Sequence, residues 1–211
     1  MAMTRRSAAA ALLGSLCSRA QPLDPEWISL FDGLSLAGWQ EAPFPGRGKV
    51  EIHDGAIRLG KGGMTGIKLA AGREFPRSGY EIRFEAARLD GRDFFAGLTF
   101  PFLDTYCSWI NGGWDGTVVG LSNVDGYDAS ENDTSINRDF VQGRWYAFHL
   151  AVTASRVQAW IDDSQVIDVD PTHRKLSLRF DDIDLCTPLG FASYATVASL
   201  RKIEYRRLLP A

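Results

Sequence analysis

The sequence predicts an all-β protein, a jelly-roll β-sandwich of about twelve antiparallel strands in two sheets. Three observations predict this fold. Many segments alternate apolar and polar residues with a period of two, which is typical of strands buried on one face. Turns rich in Gly, Asp, Asn and Pro separate these segments, and no helical periodicity extends beyond about two turns. The pattern therefore favours a sandwich over units in which strands and helices alternate.

The first strands are predicted from two turn signals. The segment Trp27 to Trp39 reads WISLFDGLSLAGW, in which an apolar strand pattern ends at Asp32-Gly33. An Asp-Gly pair between apolar residues is a strong indication of a turn. A second pair, Asp54-Gly55, lies between Val50 to His53 and Ala56 to Leu59. These residues predict a compact hairpin.

Alternation with a period of two predicts the remaining strands. Tyr80 to Ala86 alternates large apolar residues with charged ones. In Trp145 to Val152, Tyr146 and every second residue are apolar, so His149 shares the opposite face with Trp145. Further runs of this kind are Val157 to Ile161, Val166 to Ile167, Leu176 to Phe180, Leu189 to Tyr194 and Leu200 to Leu208.

A removable export signal is predicted for residues 1–20. Thr4-Arg5-Arg6-Ser7 is a twin-arginine motif, Ala8 to Leu16 is apolar, and Ser18-Arg19-Ala20 fits a cleavage site with small residues. The apolar run is well short of the roughly 20 residues that a membrane-spanning helix needs. We therefore expect a periplasmic or secreted bacterial protein with no membrane span. Residues 21–211 are expected to form a single domain.

Charge and cysteine content exclude some classes of function. Without the three arginines of the signal, the chain has a net charge of about −6 and no basic stripe. We therefore expect no nucleic-acid partner, because nothing would neutralise the phosphates. Two cysteines remain, Cys107 and Cys186, and the sequence leaves open whether they pair, because spacing does not give the distance between the sulfurs.

Several segments together resemble one known family. They are the opening segment Ser29 to Trp39, the hairpin around Asp54-Gly55, the strand Tyr80-Glu81-Ile82 and the closing strand Leu200 to Leu208. The chain is similar in these segments to the 3-keto-disaccharide hydrolase family, long known as a domain of unknown function. The strands from Trp145 to Asp168 resemble the late hairpins of concanavalin-like (laminin-G-like) sandwiches. The resemblance implies that fold and a role with carbohydrates.

The sequence departs from the family where the family carries its polar strands. The corresponding stretches here are Phe95 to Phe100, Trp109 to Trp114 and Gly190 to Tyr194, which read FAGLTF, WINGGW and GFASY. The family's polar site is therefore not carried over residue by residue, and the candidate residues come from this chain's own composition.

The richest polar stretch runs from Asp115 to Asp139. Sugar sites in sandwiches combine aromatic platforms with carboxylates and amides that hydrogen-bond hydroxyl groups. On this basis, the residues predicted to bind substrate are Trp109, Asn111, Trp114, Asp115, Asn132 and Arg138. The alternative interpretation is a solvated loop built from ordinary Asx turns.

Cleavage of a 3-keto-glycoside, which the resemblance implies, requires a general base and a general acid. Asp128, Glu131 and His149 are the predicted catalytic residues. Asp125, Asp128, Glu131 and Asp133 also offer the oxygen ligands that calcium prefers, so calcium is a candidate cofactor. The leading hypothesis is an exported enzyme that cleaves glycosidic bonds of 3-keto-disaccharides or related saccharides. The alternative is a non-catalytic carbohydrate-binding or adhesion module.

Overall fold

The computed structural model of the protein describes residues 25–209, so the export signal predicted for residues 1–20 lies outside the described residues. Fifteen strands are found in the described part of the chain, and they form two antiparallel sheets. The predicted all-β sandwich is therefore confirmed. The strands are β1 Ile28–Ser29, β2 Trp39–Glu41, β3 Val50–His53, β4 Ala56–Leu59, β5 Met64–Leu69, β6 Tyr80–Asp90, β7 Gly97–Phe102, β8 Thr105–Gly113, β9 Val118–Ser122, β10 Ile136–Asn137, β11 Trp145–Val152, β12 Val157–Ile161, β13 Ser164–Val169, β14 Gly190–Tyr194 and β15 Val197–Arg207.

One sheet has eight strands and the other has seven. The eight-stranded sheet has the order β13-β12-β11-β6-β15-β4-β3, and β1 adds to it by pairing with β15. The seven-stranded sheet has the order β10-β9-β8-β7-β14-β5-β2. The first and last described strands are thus joined in one sheet, where Ile28 lies opposite Tyr205.

Both predicted turns are present at the start of the chain. Asp54 and Gly55 have φ angles of 50° and 72°, the left-handed conformation that a two-residue hairpin turn requires. The Asp32 carboxylate accepts hydrogen bonds from the backbone N–H groups of Leu34 and Ser35, both at 2.8 Å. The strand before Asp32 is shorter than the apolar pattern suggests, because only Ile28 and Ser29 pair with β15.

The core lies between the two sheets and is rich in aromatic rings. Phe84 and Phe148 come from neighbouring strands of the eight-stranded sheet and stack with ring centroids 4.9 Å apart. Phe191 of the other sheet meets Phe84 edge to face at 4.8 Å, and Trp109 meets Phe148 at 5.6 Å. These rings are buried, so the side chains of alternate residues on the same strands point to the outer faces of the sandwich.

The predicted strand from Leu176 to Phe180 is not formed. Leu176 makes a single bridge to Val124, and the chain then runs over the outer face of the seven-stranded sheet into a short 3₁₀ helix, Asp182–Cys186. Leu178 packs on that face, whereas Phe180 is fully exposed. The alternation of apolar and polar residues in Leu176 to Phe180 thus belongs to a segment that packs against the face of a sheet and is not one of its strands. We call residues 176–186 the outer segment.

The 3₁₀ helix is the one helix in residues 25–209, and no helix in that range is long and apolar enough to cross a membrane. Cys107 and Cys186 are both buried and do not form a disulfide. Cys107 lies in the main core, and Cys186, the last residue of the outer segment, lies in a second apolar cluster with Ala42 and Phe44. Burial raises the pKa of each thiol to about 12, so both remain protonated at neutral pH.

Candidate functional site

A cleft opens on the outer face of the seven-stranded sheet, beside the outer segment. It has a wide part of about 380 Å³ and a deep part of about 50 Å³. Both parts are lined by Met64, Phe94, Trp114, Arg179 and Asp181, so they form one continuous space. We call this space the outer cleft.

Three aromatic side chains line the outer cleft. Trp114 follows β8 and has a positive φ of 47°, which belongs to the tight turn toward β9. Phe94 precedes β7, and its ring stacks with that of Tyr194 at the end of β14, with centroids 6.0 Å apart. The Tyr194 residue is 46% exposed. The cleft therefore offers accessible aromatic surface of the kind on which sugar rings stack.

Arg179 is the cation of the outer cleft. Its guanidinium lies 5.7 Å from the centroid of the Trp114 ring. It forms ion pairs of 3.3 Å with Asp128 and with Asp181. Asp128 comes from the loop after β9 and Asp181 from the outer segment, so Arg179 fastens these two walls together.

Both carboxylates that bind Arg179 have further partners. Asp128 Oδ1 accepts hydrogen bonds from the Ser130 backbone N–H at 2.9 Å and the Ser130 hydroxyl at 2.7 Å. Asp181 Oδ1 accepts a hydrogen bond from the Ile183 N–H at 2.9 Å and thereby caps the 3₁₀ helix. These two carboxylates therefore hold the walls of the cleft.

Asp93 and Asp182 also line the wide part of the cleft. One Asp93 oxygen accepts a hydrogen bond of 2.7 Å from the Phe94 N–H. Within residues 25–209, no group hydrogen-bonds or ion-pairs with the Asp182 carboxylate. With Asp181, three carboxylates line the cleft against the single guanidinium of Arg179, which Asp128 also contacts, so the field of the cleft favours neutral or cationic ligands.

Among the predicted substrate-binding residues, Trp114 alone lines the outer cleft. Asp115 is exposed on the adjacent turn, with one carboxylate oxygen 3.7 Å from Arg92. Trp109 and Asn111 point inward from β8 and are fully buried, and Asn111 Nδ2 donates a hydrogen bond of 2.8 Å to the Ala96 carbonyl. The sugar-binding role predicted for these two residues is therefore corrected to a packing role, since no ligand reaches the core.

Asn132 is a structural residue of the loop after β9. Its Nδ2 donates to the carbonyl oxygens of Leu121, Tyr127 and Asp128 at 2.6–3.1 Å. Its Oδ1 accepts from the Thr134 N–H at 2.9 Å and the Thr134 hydroxyl at 2.6 Å. Every polar group of this amide is used, so Asn132 shapes the cleft wall and has no group left for a sugar.

Arg138 lies away from the outer cleft. Its guanidinium pairs with Asp162 at 3.1 Å and lies near the rings of Phe140 and Tyr146. Asp162 belongs to the turn after β12 in the other sheet. Arg138 therefore ties the edges of the two sheets together instead of lining the predicted site.

The three predicted catalytic residues do not share a cleft. Asp128 contacts the outer cleft through Arg179, and Glu131 is exposed on the turn that follows Asp128. His149 points outward from β11 on the opposite side of the sandwich. Its ring stacks on Trp160 at 4.9 Å and meets Trp27 edge to face at 6.1 Å. The structure does not bring these three residues together, because His149 lies on the outer face of the other sheet.

The outer face of the eight-stranded sheet, which we call the charged face, carries a shallow depression of about 690 Å³. Its strands β6, β11 and β15 bring opposite charges side by side. Three ion pairs of 2.6–2.7 Å cross these strands: Arg83–Glu204, Arg201–Glu85 and Arg206–Glu81. His149 and Arg206 together hold the pKa of Glu81 below its ordinary value. The depression is larger than the outer cleft, but its charges already neutralise one another.

The acidic loop considered for calcium binds an arginine. Arg174 pairs with Asp125 at 2.5 Å and with Asp133 at 2.8 Å. A backbone hydrogen bond from Lys175 and the contact with Arg174 lower the pKa of Asp125, and Arg174 lowers the pKa of Asp133. No group of three or more His, Cys, Asp or Glu side chains in residues 25–209 is arranged to hold a metal ion.

Sequence reasoning missed most of the outer cleft. Asp93-Phe94 precedes a buried strand, and Arg179 to Asp182 reads RFDD at the end of the run that was predicted to be a strand. Both lie outside the polar stretch Asp115 to Asp139. The acidic pair after the alternating run does not distinguish it from a strand, because Asp162-Asp163 likewise follows the true strand Val157–Ile161.

Solved structures with the same fold include proteins that act on carbohydrates or bind them. The Crh5 transglycosylase in complex with NAG has 15% identity and a TM-score of 0.61, with 90% of this chain and 88% of that chain covered. SCLam, a non-specific endo-β-1,3(4)-glucanase from family GH16, has 10% identity and a TM-score of 0.57, covering 88% and 92%. The carbohydrate-binding module CBM66 from Bacillus subtilis has 12% identity and a TM-score of 0.54, covering 80% and 95%. These similarities confirm the concanavalin-like fold.

No curated protein sequence matches the chain. The profile of the 3-keto-alpha-glucoside-1,2-lyase-like domain, by contrast, matches residues 26–180. The match begins at Glu26, three residues before the opening segment, and ends at Phe180, within the outer segment. It therefore includes Asp93, Trp114 and Arg179 of the outer cleft. The chain belongs to the 3-keto-alpha-glucoside-1,2-lyase-like domain family.

Proposed function

We propose that the protein is an exported enzyme that cleaves the glycosidic bond of 3-keto-disaccharides or related saccharides, with the outer cleft as its active site. The observation that carries this proposal is the outer cleft itself, in which Trp114 and Tyr194 lie beside Asp93 and Asp182. Its volume of about 380 Å³ is that of a typical small-ligand site. Membership of the family supplies the class of substrate.

The side chains of the cleft divide into binding and chemical groups. Trp114 and Tyr194 offer rings on which the C–H face of a sugar stacks. Arg179 and Asp181 hydrogen-bond hydroxyl groups, because the guanidinium donates and the carboxylate accepts. Asp128 positions Arg179 from behind. This leaves Asp93 and Asp182 for the chemistry, since each keeps at least one carboxylate oxygen without a partner in the described chain.

The proposed reaction begins with proton transfer at C2. The ketone at C3 acidifies that proton, and an ionised carboxylate of the Asp93 and Asp182 pair removes it. The electron pair of the C2–H bond forms a C1=C2 double bond, and the C1–O bond breaks. The departing oxygen takes a proton from the other carboxyl group, which must therefore be protonated at the start. Addition of water to the double bond completes hydrolysis, and release of the unsaturated sugar completes elimination.

The test is release of the aglycone from 3-keto-glucosides by purified residues 21–211. Asp182→Asn and Asp93→Asn are each expected to lower kcat by about 10²–10⁴-fold, the usual contribution of a general acid or base. Glu131→Gln and His149→Gln are the matched controls and are expected to stay within about twofold of the wild type. Full activity in both aspartate variants would contradict the assignment of the outer cleft.

A non-catalytic carbohydrate-binding module is the second candidate. One observation favours it: Asp128 and Asp181 are already bound to Arg179, and no histidine is among the described residues that line the outer cleft. In that case, Asp182→Asn leaves saccharide binding intact and Trp114→Ala weakens it about tenfold. If the protein binds saccharides in a way that depends on Trp114 but shows no turnover, it is a carbohydrate-binding module and not an enzyme.

The proposal includes export through the twin-arginine signal. The signal predicts a mature N-terminus near Gln21 and folding before transport. N-terminal sequencing of protein from the periplasm or medium tests the cleavage site. Replacement of both Arg5 and Arg6 by lysine is expected to retain the protein in the cytoplasm, and unchanged export would contradict the assignment.

A further inference from the structure

The deep part of the outer cleft has a floor and walls of different chemistry. Its floor contains the hydroxyl groups of Ser108 and Ser122, which are 1% and 2% exposed. These serines are direct cross-strand neighbours on β8 and β9, so their side chains lie side by side. The walls are mainly apolar and include Ile110, Ile183 and Phe94.

The floor hydroxyls retain hydrogen-bonding capacity. Ser108 Oγ shares one hydrogen bond of 2.9 Å with Thr99 Oγ1, and Ser122 Oγ donates one of 2.9 Å to Asn123 Oδ1. A hydroxyl group has one donor and two acceptor positions, so each serine keeps an acceptor position beyond these bonds. A ligand that enters the deep pocket therefore meets apolar walls first and a pair of acceptors at the end.

We propose that the deep pocket is a subsite for the hydroxymethyl group of a hexopyranose. The inference rests on the proposed function, because it assumes that a saccharide occupies the outer cleft. The methylene contacts the apolar walls, and the hydroxyl at its end donates a hydrogen bond to Ser108 or Ser122. The volume of about 50 Å³ is sufficient, since a single water needs about 10–15 Å³ measured in the same way.

Other small substituents fit this pocket less well. An acetyl group would place its methyl carbon against the two floor hydroxyls, which is the opposite arrangement of polarity. A carboxylate would meet Asp181, which lines the pocket, and the nearby Arg179 is already paired with Asp181 and Asp128. The subsite therefore selects a hexose over a pentose, which lacks the group, and over a hexuronate, which is charged there.

The test compares methyl β-glucoside, methyl β-xyloside and methyl β-glucuronide by calorimetry on residues 21–211. None of the three carries the C3 ketone, so binding is measured without the proposed reaction. The glucoside is expected to bind about ten- to fifty-fold more tightly than the xyloside, from one buried methylene and one hydrogen bond. The glucuronide is expected to bind no better than the xyloside.

Ser108→Thr and Ser122→Thr each add one methyl group inside the pocket and keep the hydroxyl. Both are expected to lower glucoside affinity to the level of the xyloside and to leave xyloside affinity unchanged. Ser199→Thr on β15 makes the same substitution in the other sheet and is expected to leave both affinities unchanged. Thermal unfolding of each variant checks that the fold is retained.

Three results would overturn the inference, and they have different consequences. If the wild type binds glucoside and xyloside with equal affinity, there is no hydroxymethyl subsite, but the outer cleft is still the saccharide site. Failure of all three sugars to bind removes both the subsite and the proposed location of the active site. A preference that survives both serine substitutions would place the selective pocket elsewhere.

Discussion

The two outer faces of this sandwich have opposite organisation. On the charged face, oppositely charged side chains stand on adjacent strands and neutralise one another in pairs such as Arg83–Glu204 and Arg206–Glu81. Under the outer cleft, the strands of the seven-stranded sheet present small or apolar side chains outward, such as Ser108, Ile110 and Ser122. The charges of the outer cleft come from the adjoining loops, as Arg179 and Asp182 show.

The difference shows how a concentration of polar residues can mislead. His149, Trp160 and Trp27 form a cluster on the charged face that resembles a sugar site in composition. Its ionic groups are nevertheless satisfied within the sheet, and ion pairs at a protein surface contribute little free energy each. The outer cleft has fewer charged groups, but Asp182 is without a partner in the described chain, and the rings beside it are accessible.

The largest expected difference is in the free energy of unfolding, between a variant of the buried Trp109 and a variant of a tryptophan on the charged face. Trp109→Ala is expected to lower the free energy of unfolding by about 3–5 kcal/mol, because a large ring leaves a cavity between Phe148 and its neighbours. Trp160→Ala on the charged face is expected to cost about 1 kcal/mol or less. Urea unfolding measures both. Similar losses in the two variants would contradict the assignment of Trp109 to the core.

The next effect concerns the loop that forms a wall of the outer cleft. Asn132→Ala removes the partner of three carbonyl oxygens and of Thr134, so the free energy of unfolding is expected to fall by about 1–3 kcal/mol. Saccharide affinity is expected to fall as well, because the loop carries Asp128. Arg138→Ala provides the control, since it loosens a contact between sheet edges that is remote from the cleft. If Arg138→Ala lost saccharide binding and Asn132→Ala kept it, the assignment of the Asn132 loop to the wall of the binding site would be wrong.

Ligand affinity distinguishes the two faces directly. Trp114→Ala is expected to weaken saccharide binding about tenfold through loss of stacking surface. Trp145→Ala is the matched variant on the charged face, where Arg201 covers the ring at 3.9 Å, and it is expected to change affinity by less than about twofold. Calorimetry with the same glucoside measures the affinity of both variants. A larger loss of affinity in Trp145→Ala than in Trp114→Ala would contradict binding at the outer cleft.

The smallest expected effect is a pH-dependent change in the free energy of unfolding, caused by Glu81 on the charged face. The pKa of Glu81 is lowered in the folded protein by His149 and Arg206, so its ionised form is stabilised there. That contribution is present above the ordinary pKa of 4.5 and is lost as the pH falls through the lowered value. The wild type is expected to exceed Glu81→Gln in stability by about 1 kcal/mol or less at neutral pH. The difference should shrink toward about pH 3, as urea unfolding at several pH values would reveal; a difference that grows on acidification would have the wrong sign.

The sequence predicts the fold well because local rules determine it. Asp54-Gly55 closes the hairpin between β3 and β4, and the alternation in Tyr80 to Ala86 decides which side chains enter the core. The same rule correctly placed His149 on the outward face of β11. The alternation does not indicate which sheet β11 joins. The sequence therefore predicts a shared site for His149, Asp128 and Glu131, although His149 lies on the other sheet.

The outer cleft could not be predicted in this way. It forms where Phe94, Trp114, Arg179 and Tyr194 meet, and these residues are far apart in the sequence. Whether a tryptophan is buried depends on strand parity, so Trp109 entered the core while Trp114, beyond the end of β8, remained accessible. Contacts over such sequence separations require the sheet order, which period-two alternation does not contain.

Saccharides are expected to bind on the outer face of the seven-stranded sheet and not on the charged face. Indole N–H resonances of the six tryptophans test this expectation most directly, during titration of ¹⁵N-labelled protein with methyl β-glucoside. The Trp114 resonance is expected to shift, whereas those of Trp27, Trp145 and Trp160 are expected to stay in place. Shifts confined to the charged-face tryptophans, with Trp114 unmoved, would contradict it.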